Sequence, residues 1–351
     1  MQPASESNRS RRPTSVDVAQ AAGVSQATVS RALSGGSVSE ATRKKVESIA
    51  SRLGYSPNLV ARGLVTSRSG MIGVVVADIT NPFYPQLLEA IGNRLADQGR
   101  HMLLQNAASN SEEEEAARLL VEQRVDGIIF TTATSDSVAV RELMERRFPL
   151  VLVNRVVVGH CDAVEGDNLS GTAAALDHLV ELGHRRIGMV AGDARASTTR
   201  QRSQGFEQRL AELGVPLRLD LVRSTNFSYP EAFCAAIDLL SLDKPPTAIF
   251  CHNDLTAFAV VNAARSLGIS VPGELSVIGY DDVRESSWES YNLTTVKQQF
   301  QEMAARAVDL LESRIANPDL PPRHTVFDCP LIIRGTTAPP RGALAGKAVP
   351  R

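Results

Sequence analysis

From residue 70 onward, short runs of Val, Ile, Leu and Met alternate with longer segments whose apolar residues recur at helical spacing. The apolar runs predict strands over 71–77, 101–106, 126–131, 149–153, 186–191, 247–251 and 275–280. The amphipathic stretches predict helices that include 111–124, 169–183, 199–213, 228–241 and 298–316. A strand that is apolar throughout is buried on both faces, and the intervening helices supply the cover, so the pattern predicts parallel sheets. The span suits two doubly wound lobes, a fold in which ligands bind beyond the carboxyl ends of the strands.

Ahead of residue 70 the pattern is different. "TSVDVAQAAGVSQATVSRALSGG", residues 14–36, holds two very short helical patterns broken by Gly-Val-Ser. Thr14 with Asp17 caps a first helix over 15–22, and Gly23 stops it in the left-handed conformation. Ser25 caps a second over 26–33, so close behind that the helices must cross steeply: a helix-turn-helix. A third helix opens at Ser39 after Val38, buries Val46, Ile49, Ala50 and Leu53, and stops at Gly54. Helices this short are marginal alone and must share one core. On the second, Gln26, Ala27, Ser30 and Arg31 fall within an arc of about 140°, opposite Val29 and Ala32. That arc suits base edges in a major groove: Gln26 for adenine, Arg31 for guanine, Ala27 for a thymine methyl. Thr14, Ser25, Thr28 and Ser30 can reach phosphate oxygens.

Charge sharpens this picture. The 351-residue chain has a net charge of −2, but residues 1–69 carry ten Lys or Arg against four Asp or Glu, leaving 27 against 35 for the remainder. A basic head on an acidic body fits a module for a polyanion joined to a domain for something else. No apolar run of about 18 residues is present, and the opening "MQPASESNRSRRP" has no apolar segment behind its charges, so the expectation is a cytoplasmic protein. Cys161, Cys234, Cys251 and Cys329 are widely spaced and read as reduced, mostly buried thiols rather than disulfides or metal ligands. Neither a metal nor any cofactor is expected.

Enzymatic readings are weak. The chain contains no phosphate loop, no G-x-S-x-G, no H-E-x-x-H and no G-x-G-x-x-G. Asp281 beside Asp282, and Cys251, His252 and Asp254 together, suggest catalytic sets, but adjacent residues at a strand end point in different directions.

"VAQAAGVSQATVSRAL", "SPNLVARGL", "GMIGVVVADITNPFY", "HLVELGHRRIGMVAG", "HNDLTAFAV" and "SVIGYDD" together resemble the LacI/GalR family of bacterial repressors over residues 14–335, almost the whole chain. The resemblance implies an all-α helix-turn-helix headpiece over 14–56, a hinge over 57–69, and an α/β core over 70–337 of two doubly wound, periplasmic-binding-protein-like lobes. It implies chain crossings between lobes near 166, 293 and 325, giving a first lobe of about 70–165 and 294–324 and a second of about 166–293 and 325–337. Residues 1–13 and 338–351 are expected to be disordered. In the family the hinge folds on DNA and drives an apolar side chain into the minor groove; Leu64 stands at that position, with Asn58, Ala61 and Arg62 at neighbouring DNA-contacting positions. The implied partners are a near-palindromic double-stranded DNA operator, a second copy of the chain as homodimer, and a small effector.

Strand ends nominate the effector residues. Asp78, Phe83 and Tyr84 follow the first predicted strand; Asn154 and Arg155 follow the fourth; Arg202 lies on the helix after "MVAGD"; Asn253 follows "AIFCH"; Asp281 follows "SVIGY"; and Phe227 offers an aromatic face. Planar, bidentate polar groups with an aromatic wall suit a sugar, sugar acid or sugar phosphate. Arg202, Asn253 and Asp281 also match effector-binding positions of the family.

Overall fold

The computed structural model describes residues 13–33, 36–55, 68–157 and 161–341. Packing divides the chain between Ser69 and Gly70 into two units.

The first unit contains α1 (Ser15–Ala22), α2 (Gln26–Leu33) and α3 (Glu40–Leu53). Thr14 and Asp17 form a reciprocal capping box on α1, Ser39 caps α3, and Gly23 (φ 65°) and Gly54 (φ 67°) end α1 and α3 in the left-handed region, where glycine pays no Cβ penalty. Val18, Ala22, Val29, Ala32, Val46 and Ala50 form the shared core. Leu53 is a correction: it is 36% exposed, because α3 turns it away before Gly54 and leaves Tyr55 to pack on the core instead. The hinge positions Asn58, Ala61, Arg62 and Leu64 lie outside the described residues.

The second unit holds two six-stranded sheets. The first is built from β1 (Met71–Val76), β2 (His101–Asn106), β3 (Gly127–Phe130), β4 (Leu150–Val153), β5 (Asp162–Gly166) and β11 (His324–Phe327), in the order β11-β5-β4-β3-β1-β2 and parallel throughout. Strand alternation assigns its two faces: Ile72, Val74 and Val76 meet Leu87 and Ile91 of α4 (Phe83–Asp97), while Val75 meets Ala116 and Leu120 of α5 (Asn110–Glu122), next to α6 (Val138–Glu145). The second sheet runs β12-β10-β9-β8-β6-β7, with β6 (Ile187–Ala191), β7 (Val222–Ser224), β8 (Ala248–Cys251), β9 (Ser276–Asp281), β10 (Thr294–Lys297) and β12 (Leu331–Ile332). Only β12 is antiparallel to its neighbour. It is flanked by α7 (Asn168–Glu181), α8 (Ser197–Glu212), α9 (Tyr229–Leu240) and α10 (Asp254–Ser266); α11 (Phe300–Ala316) packs on α4 in the first lobe.

The crossing points differ from expectation at two places. Thr294–Lys297 pairs with Ile278–Asp281 of β9, so the return to the first lobe comes at Gln298, not at 293. His324–Phe327 pairs with Ala163–Gly166, so the final crossing comes just after Phe327, against an expectation near 325. Both strands are held by partners more than a dozen residues away, which local pattern does not reveal. The tail also begins later than expected. Ser276 Oγ donates to the Ala338 carbonyl and accepts from its N–H, both at 3.0 Å, and Arg341 pairs with Glu274, so 338–341 belong to the second lobe. Among the described residues, no helix is long and apolar enough to cross a membrane.

Candidate functional site

In the first unit, the α2 residues Gln26, Ala27, Ser30 and Arg31 are exposed, as is Ser25, while Thr28 and Thr14 are half-buried. Local bonds already occupy several of them. Ser25 Oγ accepts from the Thr28 N–H at 3.1 Å, Gln26 Nε2 donates to Ser15 Oγ at 2.9 Å, and Thr14 Oγ1 donates to Asp17 Oδ2 at 2.7 Å. These are weak, exposed contacts that a DNA acceptor can replace, except at Thr14, whose hydroxyl serves the helix cap. One residue escaped the sequence reading: Arg43 of α3 donates to the carbonyls of Ala32 (2.6 Å) and Gly36 (2.8 Å) and satisfies acceptors left open at the end of α2. Its only sequence signal was a cation one helix away.

In the second unit, the carboxyl ends of both sheets face one cleft. It holds about 20 Å³ of cavity space and is lined by Asn81, Phe83, Tyr84, Asn154, Arg155, Thr198, Arg202, Phe227, Asn253 and Asp281. That volume is far below the roughly 300–1,000 Å³ typical of small-molecule sites, so the cleft must widen to admit a ligand. Eight of the nine nominated residues are thereby brought together. Asp78 is the exception: it is exposed, and its Oδ1 accepts from the N–H (2.9 Å) and hydroxyl (2.6 Å) of Thr80, a local turn that spends the carboxylate. Asn81 and Thr198 were missed: Asn81 sits in the turn before α4, within "GMIGVVVADITNPFY" but not at a strand end, and Thr198 lies one residue inside α8 with no motif to mark it.

Three lining residues hold left-handed backbone: Asn154 (φ 68°), Phe227 (φ 59°) and Asp281 (φ 120°). Such conformations cost free energy in residues with a Cβ and cluster where a structure is shaped for binding. Phe227 further depends on Gly192, at the end of β6: a Cβ there would lie 2.1 Å from the ring, so glycine alone lets the aromatic wall rest on the strand end.

The charges are arranged around Arg202, which is 3% exposed. Its guanidinium lies over the Tyr280 ring, 3.5 Å from the centroid, and its Nη2 is 3.6 Å from Asp281 Oδ1. Burial raises the Asp281 carboxyl above its ordinary range, and Arg202 and then Gln298 pull it back. Gln298 Nε2 donates to Asp281 Oδ1 at 2.8 Å and to Asn154 Oδ1 at 3.3 Å, joining the lobes through a residue that pattern reading did not nominate. Arg155 differs from Arg202. Its guanidinium stands 5.4 Å from the Phe227 ring centroid, and its buried Nε has no hydrogen-bond partner among the described residues. Asn253 caps α10 by accepting from the Thr256 N–H at 2.9 Å, which leaves its amide nitrogen for a ligand.

The sets that suggested catalysis are taken up by structure. Burial lowers His252 to about 3, so its ring is neutral, and Nδ1 accepts the Gly192 N–H at 3.3 Å. Burial pushes the Cys251 thiol far up. Asp254 accepts from the Val283 N–H and is bonded to the hydroxyls of Ser286 and Thr295, with burial first and Asp281 second raising its carboxyl. Asp282 pairs with Arg334 at 2.7 Å. Of the cysteines, Cys251 and Cys329 are buried, Cys161 is half-buried and Cys234 exposed, and all four are free thiols.

Comparison with known proteins places the chain among its relatives. Residues 15–58 match the model for bacterial regulatory proteins of the lacI family, and residues 176–337 match a periplasmic binding protein-like domain. The transcriptional regulator DegA of Bacillus subtilis (strain 168) is 37% identical over 298 residues, covering 83% of this chain and 88% of DegA. The transcriptional repressor CytR of Escherichia coli (strain K12) is 33% identical over 327 residues, covering 92% of this chain and 96% of CytR. Among solved structures, the Lac repressor dimer bound to operator and the anti-inducer ONPF superposes with a TM-score of 0.82 at 28% identity, covering 93% of this chain and 100% of that one. A complex of the regulator CelR with cellobiose gives 0.71 at 30% identity, with the same coverage. With its helix-turn-helix, its pair of parallel-sheet lobes and these relatives, the chain belongs to the LacI family of bacterial transcriptional regulators.

Proposed function

We propose that the chain is a repressor that grips a near-palindromic operator as a homodimer and releases or tightens that grip when a small polyhydroxylated molecule enters the cleft. It acts in the cytoplasm, as a regulator rather than a catalyst. Gln26, Ala27 and Arg31 read base edges, Ser25, Thr28 and Ser30 meet phosphates, and the hinge around Leu64, with Asn58, Ala61 and Arg62, bends the operator centre.

The observation that carries the effector half is the pair of guanidiniums in the cleft. Arg202 is fully engaged, whereas Arg155 keeps a buried donor without an acceptor beside an aromatic wall. A buried donor without a partner costs free energy that a ligand hydroxyl or oxyanion would recover. The amides of Asn81, Asn154 and Asn253, around the same space, offer the donors and acceptors that adjacent sugar hydroxyls require. CytR and DegA, by their names, support the regulatory half, and the cellobiose complex of CelR favours sugars as the first ligands to try.

Thermal-shift screening of the full chain against sugars, sugar acids, sugar phosphates and nucleosides tests this reading. A true ligand at 100 times its Kd stabilises by about 2.7 kcal/mol through mass action. The shift is expected to vanish in Arg155→Ala. A ligand that stabilises this variant as much as the wild type would move the site elsewhere.

A further inference from the structure

Arg202 is fixed by a line of hydrogen bonds that begins in the other lobe. Its Nε donates to Asn168 Oδ1 at 2.8 Å, at the start of α7. Asn168 Nδ2 donates in turn to Gln201 Oε1 at 2.6 Å, on α8, and to the Gly166 carbonyl at 3.1 Å. Gln201 Nε2 donates to Glu165 Oε2 at 3.1 Å, and Glu165 is a 3% exposed residue of β5, in the first lobe. The second oxygen of Glu165 faces His324 Nε2 of β11 at 2.8 Å.

The two ends of this line dictate its polarity. A carboxylate only accepts, so Gln201 must turn its amide nitrogen toward Glu165 and its oxygen toward Asn168. Asn168 must then donate to Gln201, which leaves its own oxygen for Arg202. A guanidinium only donates, so it accepts that arrangement and no other. The Gln201 orientation is thus set by one charge in each lobe, the Gly166 carbonyl holds Asn168 the same way round, and neighbouring bonds of like direction reinforce each other. Gln201 is the single link that spans the hinge in this line, next in sequence to the arginine that it serves.

We propose that Gln201 and Asn168 are positioning residues for Arg202, oriented by Glu165 across the hinge. Rotation of one lobe against the other separates Glu165 from Gln201, frees the Gln201 amide to turn its nitrogen toward Asn168, and so loosens the acceptor that Asn168 offers the Arg202 Nε. The guanidinium therefore reports lobe arrangement and ligand at the same point. This inference rests on the reading of the cleft as the effector site, but its test needs no effector.

The test is proton exchange at the Arg202 Nε–H, followed by nuclear magnetic resonance in the full chain, with the resonance assigned by its loss in Arg202→Lys. Gln201→Glu sets two carboxylates against each other at the hinge, whose repulsion drives the new side chain off Asn168, and exchange is expected to accelerate about tenfold as the Asn168 acceptor loosens. The reciprocal pair Glu165→Gln with Gln201→Glu restores one donor and one acceptor in exchanged places and should return exchange to within about twofold of wild type. A loss of packing alone would not be repaired by the second substitution. Unchanged exchange in the single variant, or fast exchange persisting in the pair, overturns the proposal. If no sugar, sugar acid or sugar phosphate raises the melting temperature of the wild type, the reading of the cleft as a sugar site fails while the exchange result still decides the role of Gln201.

Discussion

Replacing Arg202 by Met removes the cation that faces Asp281 while keeping a long apolar side chain over Tyr280. At 3.6 Å and an effective dielectric constant near 20, the attraction amounts to about 4–5 kcal/mol. Desolvation of the two charges offsets much of that in the intact protein, but breaking a buried pair from one side typically costs about 3–5 kcal/mol. Asp281 can escape part of the penalty by taking up a proton, and this makes the cost depend on pH. Burial already raises its carboxyl to about 6 against the opposing pull of Arg202. Without Arg202 it rises further. The folded variant then holds a proton that the unfolded chain releases above the ordinary carboxylate range, so stability falls as pH rises, by up to about 1.4 kcal/mol per unit. The deficit relative to wild type should grow by about 2–3 kcal/mol between pH 5 and pH 8, or roughly 4–12 °C in melting temperature. Melting curves of wild type, Arg202→Met and Arg202→Met with Asp281→Asn at both pH values measure it. The double variant should lose the pH dependence. A deficit for Arg202→Met that is equal at pH 5 and pH 8 would refute the reasoning.

Three further outcomes follow from the same geometry. Gly192→Ala forces its Cβ into the Phe227 ring, at 2.1 Å, and should cost about 1–3 kcal/mol in urea unfolding while weakening any cleft ligand. His252 stays neutral when folded down to about pH 3 but takes a proton near 6.5 when unfolded, so its contribution is present above 6.5 and lost as pH falls toward 3; His252→Asn, which keeps an acceptor for the Gly192 N–H, should flatten the acid limb of stability by up to about 1.4 kcal/mol per unit. Arg31→Ala should remove about 1–3 kcal/mol of discrimination between a selected operator and a scrambled duplex in fluorescence anisotropy, with less effect on the scrambled one.

Much of the fold is legible in the sequence where local chemistry decides it. Thr14, Gly23, Ser39 and Gly54 bound α1 and α3 because caps and left-handed stops act within a turn of the chain. The central strands announce themselves as unbroken apolar runs. The strands that escaped notice are β5, β7, β10, β11 and β12, which span two to five residues. β7, β11 and β12 lie at or beside solvent, so "VRS" and "HTVF" carry no continuous apolar signal. Their pairing partners, not their composition, make them strands, and the lobe crossings shifted with them. The cleft follows a similar division. Residues at predicted strand ends came together because parallel sheets present those ends to one side. Gln298 and Thr198 required knowledge of how the lobes face each other, and Asp78 was lost to a two-residue turn with Thr80.

The central claim joins the two sites: what occupies the cleft alters the grip of the head on DNA. The most direct measurement is operator affinity by anisotropy, with the cleft empty and then saturated by a molecule from the thermal-shift screen, in wild type and in Phe227→Ala. A coupling of about 1–3 kcal/mol predicts a change of roughly 5- to 150-fold in the wild type and a much smaller one in the variant at the same ligand concentration. An operator affinity that stays the same when the cleft is filled would contradict the account.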